Sequence, residues 1–172
     1  MEIEAIADAW YVWVGIAIVS VAVGGVVLSL PSEPPPDASV AANTADHVAT
    51  SEYGASAIYE HDAESVRIGT RQIALRNDGG IEYASVTFAS LTPRYAATGE
   101  LAKAADALLS GVEPSQFVAD DRHFETETQL RDEFRDLRLA VDRRGPTWHE
   151  TTGKLRVRAV HIADETVVLI EG

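Results

Sequence analysis

Apolar and polar positions follow three rhythms along this chain, and the first is an unbroken run. From Trp10 to Leu30 no residue is charged, and Ser20 and Ser29 are the only hydroxyl-bearing side chains besides Tyr11. A helix of this length, at about 1.5 Å per residue, just crosses a hydrocarbon layer of about 30 Å. Lipid offers the backbone no partners, so a lone span must be helical. The run therefore predicts a single transmembrane anchor over residues 1–30. Trp10, Tyr11 and Trp13 gather at one end, where amphipathic rings favour the headgroup level. Ser20 and Gly24, and again Gly25 and Ser29, are four apart, the spacing that lets two helices approach closely in lipid. Pro31 ends the helix, and residues 31–37, with the triple proline Pro34–Pro36, predict a semi-rigid extended spacer.

The second rhythm is helical. Residues 38 to about 52 read as a helix with Asp37 as N-cap and a thin stripe of Val40, Thr44 and Val48, suited to the surface or to a partner. Gly54 closes it. Gly99 to Ser110 repeats the pattern, with Thr98 at its start, Leu101, Ala105, Leu108 and Leu109 inward, and Gly111 at its end. The run from about Ser115 to Arg144 reads as mostly helical. Leu130, Phe134, Leu137 and Val141 form its apolar stripe, and Asp132, Glu133, Arg135, Asp136 and Arg138 face water.

The third rhythm has a period of two. Val66–Ile68 and Arg71–Arg76 alternate and lead into Asn77, Asp78, Gly79 and Gly80, residues that suit a tight hairpin turn. A long strand, Ile81 to Leu91, is predicted to follow. Leu155–Ile162 and Thr166–Ile170 flank Ala163-Asp164-Glu165 as a second hairpin. The expected fold class is α+β: the anchor, then residues 38–172 as one acidic domain. Its antiparallel sheet has about four strands in two hairpins, with two or three helices on one face.

Composition narrows the function. The net charge is −13, and of fourteen basic residues only Lys103 and Lys154 are lysines. Nucleic acid is excluded as a partner, because binding it requires clustered cations to neutralise phosphates. The acid excess fits the surface of a salt-adapted protein, in which salt screens self-repulsion. There are no cysteines, which removes disulfides and thiol chemistry.

Candidate chemistry is sparse. His123 and Glu127 share a face if the helix includes both, but a metal needs more ligands than two. His149-Glu150, His61-Asp62 and His161 read as surface or strand residues. No serine stands in a nucleophile motif. Arg156 and Arg158 share a strand face, suited to cross-pairing with acids. Beside Arg71 and Arg76 on a neighbouring strand they would instead make a small anion patch, and charged cross-strand pairing is the expected arrangement. No catalytic, cofactor or metal residue is assigned, and a non-enzymatic role is expected.

The stretches DAWYVWVGIAIVSVAVGGVVLSLPSEPPPDA and VRIGTRQIALRNDGGIEYASVTFASLTP, with Tyr11-Val-Trp13 and Asn77–Gly80 most distinctive, carry a resemblance. The chain resembles a family of uncharacterised, membrane-anchored proteins of halophilic archaea associated with pilus-like or Tad/type II secretion-type machinery. Its plan is loosely similar to that of type IV pilins, although no Lys-Gly or Arg-Gly precedes the span. The resemblance implies a single-pass protein of the cell membrane with an extracellular head. Its partners would be lipid and pilin-like or secretion-apparatus subunits, met through the helix. The alternative is a tethered module binding a ligand or envelope partner through the sheet face with Tyr83, Thr87 and the arginines.

Overall fold

The computed structural model describes residues 4–28, 33–51, 54–121 and 123–172, with the side chains of the first helix described over 10–23. It divides into two units, residues 1–33 and 34–172. The first contains helix α1, Glu4–Leu28. Its large apolar side chains from Trp10 to Val23 are exposed, those of Trp10, Tyr11 and Trp13 included, apart from the half-buried Val14. Among the described residues no helix is long and apolar enough to cross a membrane. The span expected at residues 10–30 therefore rests on the sequence, because the side chains described in α1 cover its middle alone. Of the small residues proposed for helix contact, Ser20 is exposed, Gly24 and Gly25 are described only as helical backbone, and Ser29 lies outside the described residues.

The second unit is α+β, as its rhythms predict, but it contains two four-stranded sheets rather than one. The strands are β1 (Ser56–Glu60), β2 (Ser65–Ile68), β3 (Gln72–Asn77), β4 (Gly80–Ser85), β5 (Leu91–Pro93), β6 (Trp148–Glu150), β7 (Lys154–Ile162) and β8 (Glu165–Glu171). The first sheet runs β1-β7-β8-β5 and the second β4-β3-β2-β6. Each sequence hairpin lies in a different sheet: β3–β4 turns through Asp78-Gly79 in the second, and β7–β8 through Ala163-Asp164 in the first. Asn77 Oδ1 accepts the Gly79 and Gly80 N–H groups at 2.9 and 3.2 Å, closing the first turn.

The first sheet is apolar on both faces. Leu155, Val157 and Ala159 of β7, with Val168 and Ile170 of β8, join Val66, Ile68, Ile73 and Leu75 of the second sheet in one core. Val160, Ile162, Val167 and Leu169 point the other way, into a core built from three helices. Those are α3 (Gly99–Ser110), α4 (Pro114–Asp120) and α5 (Glu127–Arg144). Helix α3 ends at Gly111, whose left-handed φ of 106° favours glycine.

Four further expectations are corrected. Helix α2 (Ala38–Thr50) is not a surface helix: Ala38, Ala41, Ala42, Ala45 and Val48 are buried in the first core, while Val40 is exposed. Asp37 does cap it, accepting the Val40 N–H at 3.0 Å. The helix predicted from Ser115 to Arg144 is broken between Asp120 and Glu127. Arg138 does not face water. It is 8% exposed, with one nitrogen on Glu165 and another 3.4 Å from Thr92 Oγ1, tying α5 to β8 and β5.

The strand predicted from Ile81 to Leu91 is two strands. The chain leaves the second sheet after Ser85 and enters the first at Leu91, where β5 pairs in parallel with β8. The crossing is held by Asp46 of α2, whose carboxylate accepts the N–H groups of Thr87, Phe88 and Ala89 at 2.7–3.2 Å. One charged acceptor thus replaces the partners a strand would have supplied. Asp46→Ala is expected to lower stability by about 1–3 kcal/mol in urea denaturation and to speed amide exchange at Thr87, Phe88 and Ala89 before other head amides. Exchange unchanged at those three positions would show that the loop holds itself.

Candidate functional site

The inner face of the second sheet belongs to the core, so strand alternation sends the other residues of β2, β3, β4 and β6 outward. In register, Tyr83, Ala74, Arg67 and Trp148 form one row across four strands. Ile81, Arg76, Ser65 and Glu150 form the next. Ala74 is small, which leaves room for the side chains on either side of it to lean together. The Arg67 guanidinium lies 5.5 Å from the Tyr83 ring centroid and 5.7 Å from that of Trp148. The Arg76 guanidinium lies 4.7 Å from the Trp148 ring and donates to Ser65 Oγ at 3.1 Å. Stacking of this kind fixes the planar donor fork of an arginine before any ligand arrives.

The charge balance of this face is opposite to that of the chain. Among the described residues neither Arg67 nor Arg76 forms an ion pair with a carboxylate. Glu82, next to Tyr83 in sequence, points inward and accepts from Ala38 N and Ser39 Oγ at the start of α2. Tyr83 is 50% exposed and Ile81 45%, so the arginines stand beside open apolar surface.

The sequence candidates fall out as follows. Tyr83 is on this face with Arg76, but Thr87 is in the Asp46-bound crossing and Arg71 in the β2–β3 turn. Arg156 and Arg158 lie on β7 of the other sheet. They cannot pair beside Arg71 and Arg76, and Arg156 instead faces Glu171 at 3.8 Å on the adjacent strand. Arg67 and Trp148 were missed. Arg67 alternates with Val66 and Ile68, a signal of outward placement, but its pairing with a three-residue strand far along the chain leaves no local trace.

No described group of three or more His, Asp or Glu side chains is placed to hold a metal. His123 precedes α5, so it does not share a helical face with Glu127, which accepts the Ala163 N–H at 3.0 Å. His149 and Glu150 are adjacent on β6 and point to opposite faces, which separates them as an acid–base pair. His149 stacks on Tyr95 with centroids 3.8 Å apart, and its Nε2 meets Thr147 Oγ1 at 2.8 Å. The Tyr95 hydroxyl donates to the Ile68 carbonyl at 2.5 Å, and burial raises its pKa. His161 is on the exposed side of β7.

His61 departs most from a plain surface residue. Its Nδ1 accepts the Ala63 N–H at 3.1 Å, while Nε2 is buried with no hydrogen-bond partner among the described residues. Burial lowers its pKa, against a smaller opposing pull from Asp62. The folded state thus binds the proton less readily than the unfolded chain, whose histidine titrates near 6.5. The His61 contribution is complete above about pH 6.5 and is lost as the pH falls toward the lower folded value. His61→Asn is expected to flatten the stability–pH curve on the acid side of about pH 6.5, read by thermal melts at fixed salt. A curve of unchanged slope would place the titration elsewhere.

Neither curated proteins nor solved structures give a match to this chain. A family match does exist, and it runs from residue 4 to residue 160, through α1, the β3–β4 hairpin, every helix of the second unit and most of β7, ending before the β7–β8 turn. On that coverage the chain belongs to DUF7283, a family of unknown function.

Proposed function

We propose that this protein is a non-catalytic, membrane-tethered binding module with its head outside the cell. Its second sheet takes a carboxylate-bearing saccharide of the envelope. The observation that carries this is the stacked pair Arg67 and Arg76, without a carboxylate partner among the described residues, on a chain of net charge −13. Arginine forks match carboxylates in bidentate geometry, and their stacking on Tyr83 and Trp148 lowers the entropy lost on binding. Exposed Tyr83 and Ile81 offer flat apolar surface for the C–H face of a sugar ring.

Tethering is supported by the composition of α1. Its backbone is helical for 25 residues, and the sequence from Trp10 to Leu28 has no charge. Large apolar side chains exposed along one helix need a cover, and lipid supplies it. The salt-adapted surface suggested by the acid excess is compatible with this reading, since short bidentate contacts outlast the screening of distant charges.

A second reading has α1 as an assembly helix, making the protein a pilin-like or accessory subunit of a pilus or secretion apparatus. It is favoured by exposed Ser20 and by Gly24 four residues on in the same helix. The chain has no cysteine, so Ser20→Cys introduces a single thiol. Oxidation in native membranes is expected to give crosslinked dimers under this reading, and monomers alone would remove it.

The main reading is tested with the full chain in lipid nanodiscs, titrated with polygalacturonate and with neutral dextran. Binding of the acidic polymer alone is expected, weakened at least tenfold by Arg67→Ala with Arg76→Ala, and unchanged by Arg135→Ala with Arg143→Ala on α5. Equal binding of both polymers, or full retention by the Arg67/Arg76 variant, would overturn it.

A further inference from the structure

We infer that a cleft between α5 and β6 is a binding site for a small amphipathic carboxylate, an inference independent of the sheet face and of the anchor. The cleft has a volume of about 370 Å³. That is within the range of ligand pockets. One wall is the last two turns of α5, where Leu137, Ala140, Val141 and Arg144 recur at i, i+3, i+4 and i+7 and so share one helical face. Tyr95, in the 3-10 turn Arg94–Ala96, makes the opposite wall, and Thr147 and His149 close one end.

The walls are set before a ligand enters. The Tyr95 hydroxyl is committed to the Ile68 carbonyl, and its ring is backed by His149. His149 Nε2 is committed to Thr147. Asp142, on the other side of α5, accepts from Thr70, which fixes this part of the helix to the β2–β3 turn. Arg144 is the exception. It is exposed at the mouth, and among the described residues no carboxylate pairs with it.

The chemistry of the occupant follows from this division. An apolar body fits against Leu137, Ala140, Val141 and the Tyr95 ring, and a single anionic head reaches the Arg144 fork at the rim. A carboxylate is favoured over a phosphate because one planar fork, with no lysine or second arginine among the residues lining the cleft, matches two oxygens rather than three. Ala140 is the position that keeps the cleft open. A larger side chain there would occupy the space of the ligand's body without removing any polar group.

The experiment uses the full chain in detergent with 4-phenylbutyrate as probe and 4-phenylbutanamide as its uncharged control, read by ligand-observed NMR and calorimetry. Saturable binding of the acid is expected, at least tenfold tighter than the amide. Ala140→Phe and Arg144→Gln should each weaken it at least tenfold, while thermal melts and the polygalacturonate titration of both variants stay as in the parent. Acid and amide binding equally, no saturation by either, or Ala140→Phe retaining full affinity would overturn the assignment. Where Ala140→Phe shifts the melt, Leu137→Ala supplies the second measurement: an enlarged cleft should change the preference between phenylbutyrate and the longer phenylhexanoate. An unchanged preference would count against the site.

Discussion

The head depends on one hairpin that must be apolar on both sides. Strand β7 alternates Leu155, Val157 and Ala159 toward the second sheet with Val160 and Ile162 toward the helices. The step from Ala159 to Val160 is the point where one strand serves two cores. Strand β8 does the same with Val168 and Ile170 against Val167 and Leu169. A slip of one residue in their pairing would exchange the two faces entirely. The register Ala159↔Val168 therefore governs how α2 and the second sheet meet one side, and how α3, α4 and α5 meet the other.

Around that hairpin, polar side chains hold what apolar burial cannot position. Arg138 reaches from α5 to Glu165 and Thr92, and Asp142 to Thr70. Asp46 gathers three backbone donors of the crossing between sheets. Arg94 and Asp106 tie the 3-10 turn to α3, and the hydrogen bond from Arg94 holds the Asp106 carboxyl below its usual range. Each of these contacts fixes a helix to a strand, loop or turn of a neighbouring element. At the cleft beside α5, the Tyr95 hydroxyl and the His149 and Thr147 side chains are already hydrogen-bonded.

How much of this was legible in the sequence depends on range. Asn77–Gly80, the Leu130–Phe134–Val141 stripe and the Gly111 stop are local signals, and each marks an element of the structure. The division into two sheets is not local. Strands β5 and β6 have three residues each, too few for a period, and their partners lie far along the chain. Helix α2 was placed on the surface because alanine contributes little to an apolar stripe; yet close approach to two sheets requires exactly such small side chains. Arg138 defeats periodicity for another reason: a charge inside a helix stripe is buried only when distant partners receive it. The arginine–aromatic face shares this property, since Arg67 and Trp148 become neighbours only through β2–β6 pairing.

Strand β8 occupies an interior place in the first sheet, between β7 and β5, although it is made after all the other strands. Synthesis thus delivers the apolar α1 before the strands, and β8, which faces both cores, after the other seven. Until Glu165–Glu171 has emerged, β5 lacks its parallel neighbour and Arg138 lacks its carboxylate. A nascent chain would therefore carry α1 complete while both cores of residues 34–172 are still open, and closing those cores waits on β8.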